Sequence, residues 1–286
     1  ITSDKRYATS FILNCLTATI GAVVDKDLIM ANEVDGDMGN AWLQTNSAGS
    51  GPYKLDSWKP NESVTMSSNP DYYDGAPAME RVIVRHVLES ASQRLLLERG
   101  DVDIARNLNP EDIAGASAME GIRIEDELKG RLMYIALNQK HPELSKPEVR
   151  QAFKYLIDYE GMRDSFLKGQ YTIHQHFLPA TYLGASEENP FSYNLEKAKE
   201  LLDAAGVEGL EIEIGVREAQ ERIEIGQSFQ NAAAQVGITV NITVGTAKQI
   251  LGRYRARELD VYLGAWGPGY PDPQPNAGTF AYTPDN

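Results

Sequence analysis

Between residues 132 and 266 short apolar runs alternate with capped amphipathic helices, and this alternation constrains the fold more than any other feature. Leu132-Met133-Tyr134-Ile135-Ala136-Leu137 is apolar throughout, as expected of a strand covered on both faces. Ser145, Pro147 and Glu148 predict a helix start, after which Val149, Phe153, Leu156 and Ile157 recur on one helical face. Asn194 is the expected cap of a second helix that stops at Gly206. Leu210, Ile212, Ile214 and Val216 predict a strand, a helix over about 218–236 ends at Gly237, and Ile238, Val240, Ile242 and Val244 predict the next strand. Thr246 opens a basic helix with Lys248, Arg253, Arg255 and Arg257, and Val261 to Trp266 reads as a final buried strand. Strands separated by single helices place this region in the α/β class, with helices packed on the faces of a largely parallel sheet.

The region before residue 132 is patterned differently. Tyr53 to Trp58 alternates apolar with polar, a turn follows at Lys59-Pro60-Asn61, and Val64 and Met66 resume the period, which predicts a hairpin. Val82 to Val87 predicts another strand. Ser90 as N-cap, Gln93 as its capping-box partner and Gly100 as stop predict a helix, with short strands at Val102–Ala105 and Ile122–Ile124. An α/β unit entered by one buried strand and left by another is expected to join a neighbouring lobe through a double hinge, with a ligand cleft between lobes.

Composition excludes several function classes. Asp and Glu number 41 against 27 Lys and Arg, a net charge of −14, which argues against nucleic acid and anionic membranes as partners. The single cysteine, Cys15, excludes an internal disulfide and a multi-cysteine zinc site. Phe11 to Val24 lacks charge but carries Asn14, Thr17 and Thr19. Gly226 to Ala247 is uncharged but rich in amides, so neither is expected to span a bilayer. On a strand, His174-Gln175-His176 would put two imidazoles on one face, but the pair falls in a loop-like stretch before Leu178-Pro179 and no nearby cysteine or second histidine pair completes a metal shell. Structural or solvated histidines are expected there, with no metal and no cofactor. The competing enzyme reading is a metal-dependent hydrolase that adds Glu143 or Asp164 to this pair.

Several segments carry a resemblance together. Gly49-Ser50-Gly51-Pro52-Tyr53-Lys54-Leu55, then Trp58 and Asn69-Pro70-Asp71-Tyr72-Tyr73, resemble the hairpin of extracytoplasmic solute-binding family 5, the peptide- and nickel-type receptors of ABC importers. Leu97 to Ala105, with Gly100-Asp101-Val102-Asp103 at its centre, is similar to the same family. So are Asn138 ahead of Pro147 to Ala152, and Ala265-Trp266-Gly267-Pro268-Gly269-Tyr270-Pro271-Asp272-Pro273. The resemblance implies a two-lobe periplasmic-binding-protein-like fold (type II, large cluster), a non-enzymatic role and a periplasmic location. The implied partners are a small-molecule or peptide ligand and a membrane permease, and the full-length protein is implied to be a monomer. It also implies an internal fragment lacking its N- and C-terminal parts. Residues 1–132 would be part of an incomplete larger lobe, 133–266 the complete smaller lobe, and 267–286 the start of the return.

The expected ligand-binding residues are Trp266, Gly269, Tyr270, Asp272 and Asn138, with no catalytic residue. Trp266 would cover a ligand face at the end of a crossover strand, its alternative being lobe-interface packing. Asp272 reads as a ligand contact or a turn-stabilising carboxylate, and Asn138 as a ligand contact or a hinge hydrogen-bonder. In peptide-binding relatives an Asp precedes the Tyr of the second crossover, and some have an Arg three residues before the Trp. Here those places hold Gly269 and Leu263, so an opine, sugar or metal chelate competes with a peptide as ligand.

Overall fold

Two segments of opposite patterning fold into two compact units, Ile1–Ile124 and Glu125–Asn286. The computed structural model describes residues 6–17, 21–267 and 272–282.

The first unit begins with helices α1 (Thr9–Thr17), α2 (Lys26–Met30) and α3 (Asn40–Leu43). An antiparallel sheet follows, β1 (Tyr53–Lys59), β2 (Ser63–Ser68) and β3 (Arg81–Arg85), in the order β1-β2-β3. The predicted hairpin is present, with Trp58 opposite Val64 and an irregularity in register between Leu55 and Ser57. Helices α4 (Ser90–Glu98) and α5 (Pro110–Ser117) complete the unit. Ser90 is not the N-cap of α4. Glu89 holds that place, and the Ser90 hydroxyl instead accepts from the Asn109 amide. Gln93 donates to the Val87 carbonyl and accepts from the Arg106 amide, so it ties the helix to flanking loops rather than closing a capping box. Residues 102–105 and 122–124 are irregular, not strands, because neither finds a strand to pair with among the described residues; Ile104 and Ile124 remain exposed.

The second unit follows the predicted alternation: β4 (Leu132–Leu137), α6 (Pro147–Tyr155), α7 (Tyr159–Asp164), α8 (Leu195–Ala204), β5 (Glu211–Arg217), α9 (Gln220–Gln235), β6 (Thr239–Gly245), α10 (Ala247–Arg255), β7 (Val261–Trp266) and α11 (Pro273–Asn276). Its sheet order is β4-β7-β5-β6. β5 runs parallel to both β6 and β7, while β4 is antiparallel to β7. The main core lies on one face, where Phe153, Leu202 and Phe229 from α6, α8 and α9 meet Ile212, Ile214 and Leu263 of the strands. On the other face α10 covers a smaller cluster of Ile250, Leu259 and Tyr262.

Caps decide where these helices start. Asn194 caps α8 by accepting from the Lys197 amide, and Thr246 forms a full capping box with Gln249 on α10. Ser145 does not cap α6; its hydroxyl donates to the Pro142 carbonyl, and Lys146 is the N-cap residue. Gly264 is needed for close approach, since a Cβ there would meet the Tyr134 and Tyr262 rings at 2.8 Å or less.

One ion pair locks α10 to the sheet. Arg253 donates to both Glu213 oxygens at 2.7 and 2.9 Å, and Thr243 donates to the same carboxylate at 2.6 Å. The Arg253 guanidinium holds the Glu213 carboxyl below its ordinary value of 4.5. A carboxyl depressed in the folded state stabilises above its unfolded value and loses that contribution as pH falls through the folded one. Glu213→Gln is therefore expected to cost about 1–2 kcal/mol near neutrality and to flatten the acid limb of stability against pH. Hydrogen exchange of β5 and α10 amides along an acid titration measures both effects, and an unchanged acid limb would refute the assignment.

Candidate functional site

Parallel strands bring their carboxyl ends to one edge of a sheet, where ligands of open α/β sheets collect. Arg217 ends β5, Gly245 ends β6 directly opposite it, and β7, parallel to β5, ends at Trp266. β4 begins at this same edge, because Leu132 is the partner of Trp266. Arg131 immediately precedes Leu132.

Trp266 is half-buried, and its ring meets Phe280 edge-on with centroids 6.1 Å apart. Phe280 also packs on Tyr134, which in turn lies edge-on to Tyr262. The indole N–H of Trp266 is covered and has no hydrogen-bond acceptor among the described residues. A covered donor without an acceptor costs about 1–3 kcal/mol, which marks it as a position where another acceptor would be gained.

Asp272 caps α11, its carboxylate accepting from the Gln274 amide at 2.9 Å. The charge of Asp272, after burial itself, helps push the Tyr182 hydroxyl above its usual range. Gly269 and Tyr270 lie outside the described residues. Asn138 stands apart from this group. It follows the far end of β4, roughly 20 Å along the strand from Trp266 at about 3.4 Å per residue. Its amide donates to the carbonyls of Arg257 and Leu259, its side-chain oxygen accepts from Lys140, and its backbone N–H donates to Asp260. These bonds pin the start of β4's outgoing loop to the loop before β7, so the side chain has a structural task there. Residues 272–282, on the segment expected to begin the return to the larger lobe, group with the second unit, with Phe280 against Tyr134 and Trp266.

The residues not anticipated from sequence are cationic. Arg217, Glu218, Ala219, Arg222 and Ala247 line a pocket of about 180 Å³ at the start of α9. Arg222 is 5% exposed, and its Nε and Nη1 are buried without a hydrogen-bond acceptor; the nearest carboxylate oxygen, on Glu221, is 3.6 Å from Nε. Burial first, then the neighbouring charge of Arg217, lowers its pKa, with Arg131 adding to the effect. A signal for this was present in the sequence. Arg222 occupies the same helical stripe as Ile225, Gly226 and Phe229, where a charge has no ordinary place.

The histidine pair lies in a loop and not on a strand. His174 Nε2 pairs with the Leu178 carbonyl, and His176 Nε2 with the Glu188 carbonyl. Glu143 is engaged by Lys146, and Asp164 by Arg163. Among the described residues no group of three or more His, Cys, Asp or Glu side chains could hold a metal ion.

Residues 2–286 match the family of bacterial extracellular solute-binding proteins, family 5 (Middle). The chain belongs to that family. It is 28% identical over 240 residues to the probable D,D-dipeptide-binding periplasmic protein DdpA of Escherichia coli K12, covering 83% of this chain and 46% of DdpA. The chain spans about half the length of the curated relatives it matches. Among solved structures, it is similar to the periplasmic binding protein DppA from Helicobacter pylori in complex with peptide STSA. The TM-score is 0.84 at 22% identity, over 94% of this chain and 52% of that one. It is also similar to the binding protein AgaA from A.tumefacien R10 in complex with agropinic acid, with TM-score 0.74 at 24% identity over 95% and 55% of the two chains. These likenesses establish the periplasmic-binding-protein fold. No helix among the described residues is long and apolar enough to cross a membrane.

Proposed function

We propose that the protein is the substrate-binding component of an ABC importer, which captures a small solute in the periplasm and hands it unchanged to a membrane permease. Membership of a solute-binding family supports the class. The observation that carries the reading is the β4–β7 pair: two antiparallel strands, side by side, that deliver Trp266, whose indole N–H has no acceptor among the described residues, to the carboxyl edge of the sheet. The solute lies at that edge, with closure of the full-length protein driven only by its higher affinity for the closed state. No covalent step is required of any residue.

Peptides are the first candidate class, because the similar DdpA is a probable D,D-dipeptide-binding protein and the similar DppA is in complex with a peptide. A second reading, an opine-like solute, is favoured by the likeness to AgaA, which is in complex with agropinic acid. The place where some peptide relatives have an Arg holds Leu263, 1% exposed and packed into the main core, so that peptide anchor is missing here.

Native mass spectrometry of the full-length protein, with fragmentation of any co-purified solute, tests the assignment. A true ligand at a hundred times its dissociation constant adds about 2.7 kcal/mol of stability, so its effect is plain in thermal unfolding. Stabilisation by di- and tripeptides supports the peptide reading, and stabilisation by opines but not peptides replaces it. A flat response to peptides, opines, sugars and metal chelates, with nothing co-purified, overturns the receptor reading.

A further inference from the structure

Helices α4, α8, α9 and α10 end in the same way, and α10 does so through a residue that strains it. In each, the chain leaves the helix through one left-handed residue, whose amide and the next donate back to carbonyls of the last turn. That residue is Gly100 after α4, Gly206 after α8 and Gly237 after α9. After α10 it is Arg257, at φ 59°. The Arg257 amide donates to Tyr254 and the Glu258 amide to Arg253, each at 3.0 Å, so the turn is the same one. Glycine is the usual occupant of this position because a Cβ is strained there.

Nothing inside the unit offsets that strain. Arg257 is exposed, and its guanidinium has no hydrogen bond or carboxylate partner among the described residues. Nor does the helix dipole require it. A cation is favoured near a helix C-terminus, and Arg253 and Arg255 in the last turn of α10 already meet that preference. Strained residues of this kind gather where a function needs the side chain.

Arg257 also has cationic company. The Asn138 side-chain amide donates to the Arg257 carbonyl at 3.3 Å, and the Asn138 side-chain oxygen accepts from the Lys140 amide at 3.1 Å. The exit from β4 is thereby held against the end of α10, and three exposed cations, Lys140, Arg255 and Arg257, share one corner. The carboxylates beside them are engaged. Glu258 lies 3.7 Å from Arg253 Nε, Asp260 accepts from the Glu213 amide at 2.9 Å, and Glu211 accepts from Asn241 at 2.8 Å. Such a corner runs against a composition of 41 acidic side chains to 27 Lys and Arg. It lies where β4 ends and β7 begins, at the opposite edge of the sheet from Trp266.

We propose that this corner docks an acidic segment of a partner protein. Charge range favours a narrow segment over a broad anionic surface. Exposed charges act over about 8 Å at physiological ionic strength. A peptide segment laid on the corner meets the three cations within that range, whereas a lipid bilayer also meets the rest of a chain whose net charge is −14. The corner stands apart from the solute edge, so the proposal does not rest on the receptor reading.

The test uses full-length protein and a hexaglutamate peptide, with hexaglutamine as the neutral control, in calorimetric titrations at low and physiological salt. Wild type is expected to bind hexaglutamate and not hexaglutamine, more weakly as salt rises. Arg257→Gly should weaken that binding about two- to fivefold, and its combination with Lys140→Gln and Arg255→Gln should abolish it. Arg257→Gly should also unfold at the same or a higher temperature than wild type, because a glycine then holds the left-handed position. Equal binding by wild type and the triple variant overturns the proposal, as does no binding by wild type. Association with phosphatidylglycerol vesicles but not with hexaglutamate assigns the corner to a membrane and overturns it too. A lower melting temperature for Arg257→Gly does the same, since Arg257 would then serve the fold.

Discussion

Phe229→Ala is expected to destabilise the second unit by about 3–5 kcal/mol, the largest single effect in the molecule. Phe229 is 2% exposed and its ring sits 5.5 Å from that of Phe153, joining α9 to α6 over the sheet. Truncation removes the transfer free energy of a whole ring and leaves a void at the centre of the main core. The cost should fall toward the lower end. Phe229 also borders an open groove of about 500 Å³ with Ile135, Leu137, Phe153 and Phe280, and side chains lining that space have room to relax into the void. Amide exchange of β5, β6 and α9 is the measurement, since it reports the second unit by itself. A loss under about 1 kcal/mol would mean that α9 is held by its flanks and not by this ring. Phe229→Leu should recover more than half of the loss, because it keeps most of the buried volume.

What was legible before the structure follows from how strongly local chemistry and burial agree. In the second unit they coincide for β7, an apolar run that is buried, and for α8 and α10, which are capped by the side chains that their sequence offers; β4, an equally apolar run expected to be covered on both faces, is instead an edge strand and only half-buried. Where a motif had a competing partner, the pattern misled. Ser90 and Ser145 look like N-caps, yet each hydroxyl finds a backbone group elsewhere, and the helix starts without it. Val102–Ala105 and Ile122–Ile124 have strand-like composition but pair with no strand among the described residues, and a strand is defined by its pairing more than by its residues. The site divided in the same way. Trp266 was visible because a flat aromatic closes an apolar run. The pocket at the start of α9 left only one trace, a charge on the apolar stripe of that helix, because Arg217 and Arg222 come together through the turn from β5 into α9 and through no recognisable motif. Asn138 and Trp266 come from the same strand pair, and antiparallel pairing alone sends them to opposite ends.

Trp266→Ala is expected to lower solute affinity by about 2 kcal/mol, roughly thirtyfold, which is the size of a buried aromatic anchor. The half-buried indole already has one aromatic neighbour, Phe280, so packing is a competing account of its place. The N–H, which has no acceptor among the described residues, separates the two. Trp266→Phe keeps an aromatic face against Phe280 but has no donor. If the indole serves packing alone, the Phe variant should bind solute as tightly as wild type. If the N–H is a ligand donor, the Phe variant should lose about tenfold in affinity while its ligand-free stability holds or rises, because a covered donor without an acceptor has been removed. Asn138→Ala is the contrasting variant. It breaks three side-chain bonds to backbone and should lower stability by about 1–2 kcal/mol, with solute affinity changed little. Calorimetric titration beside thermal unfolding of all four proteins separates these outcomes. Equal affinities for wild type, Trp266→Ala and Trp266→Phe would remove the end of β7 from the binding site and require the solute to be sought elsewhere.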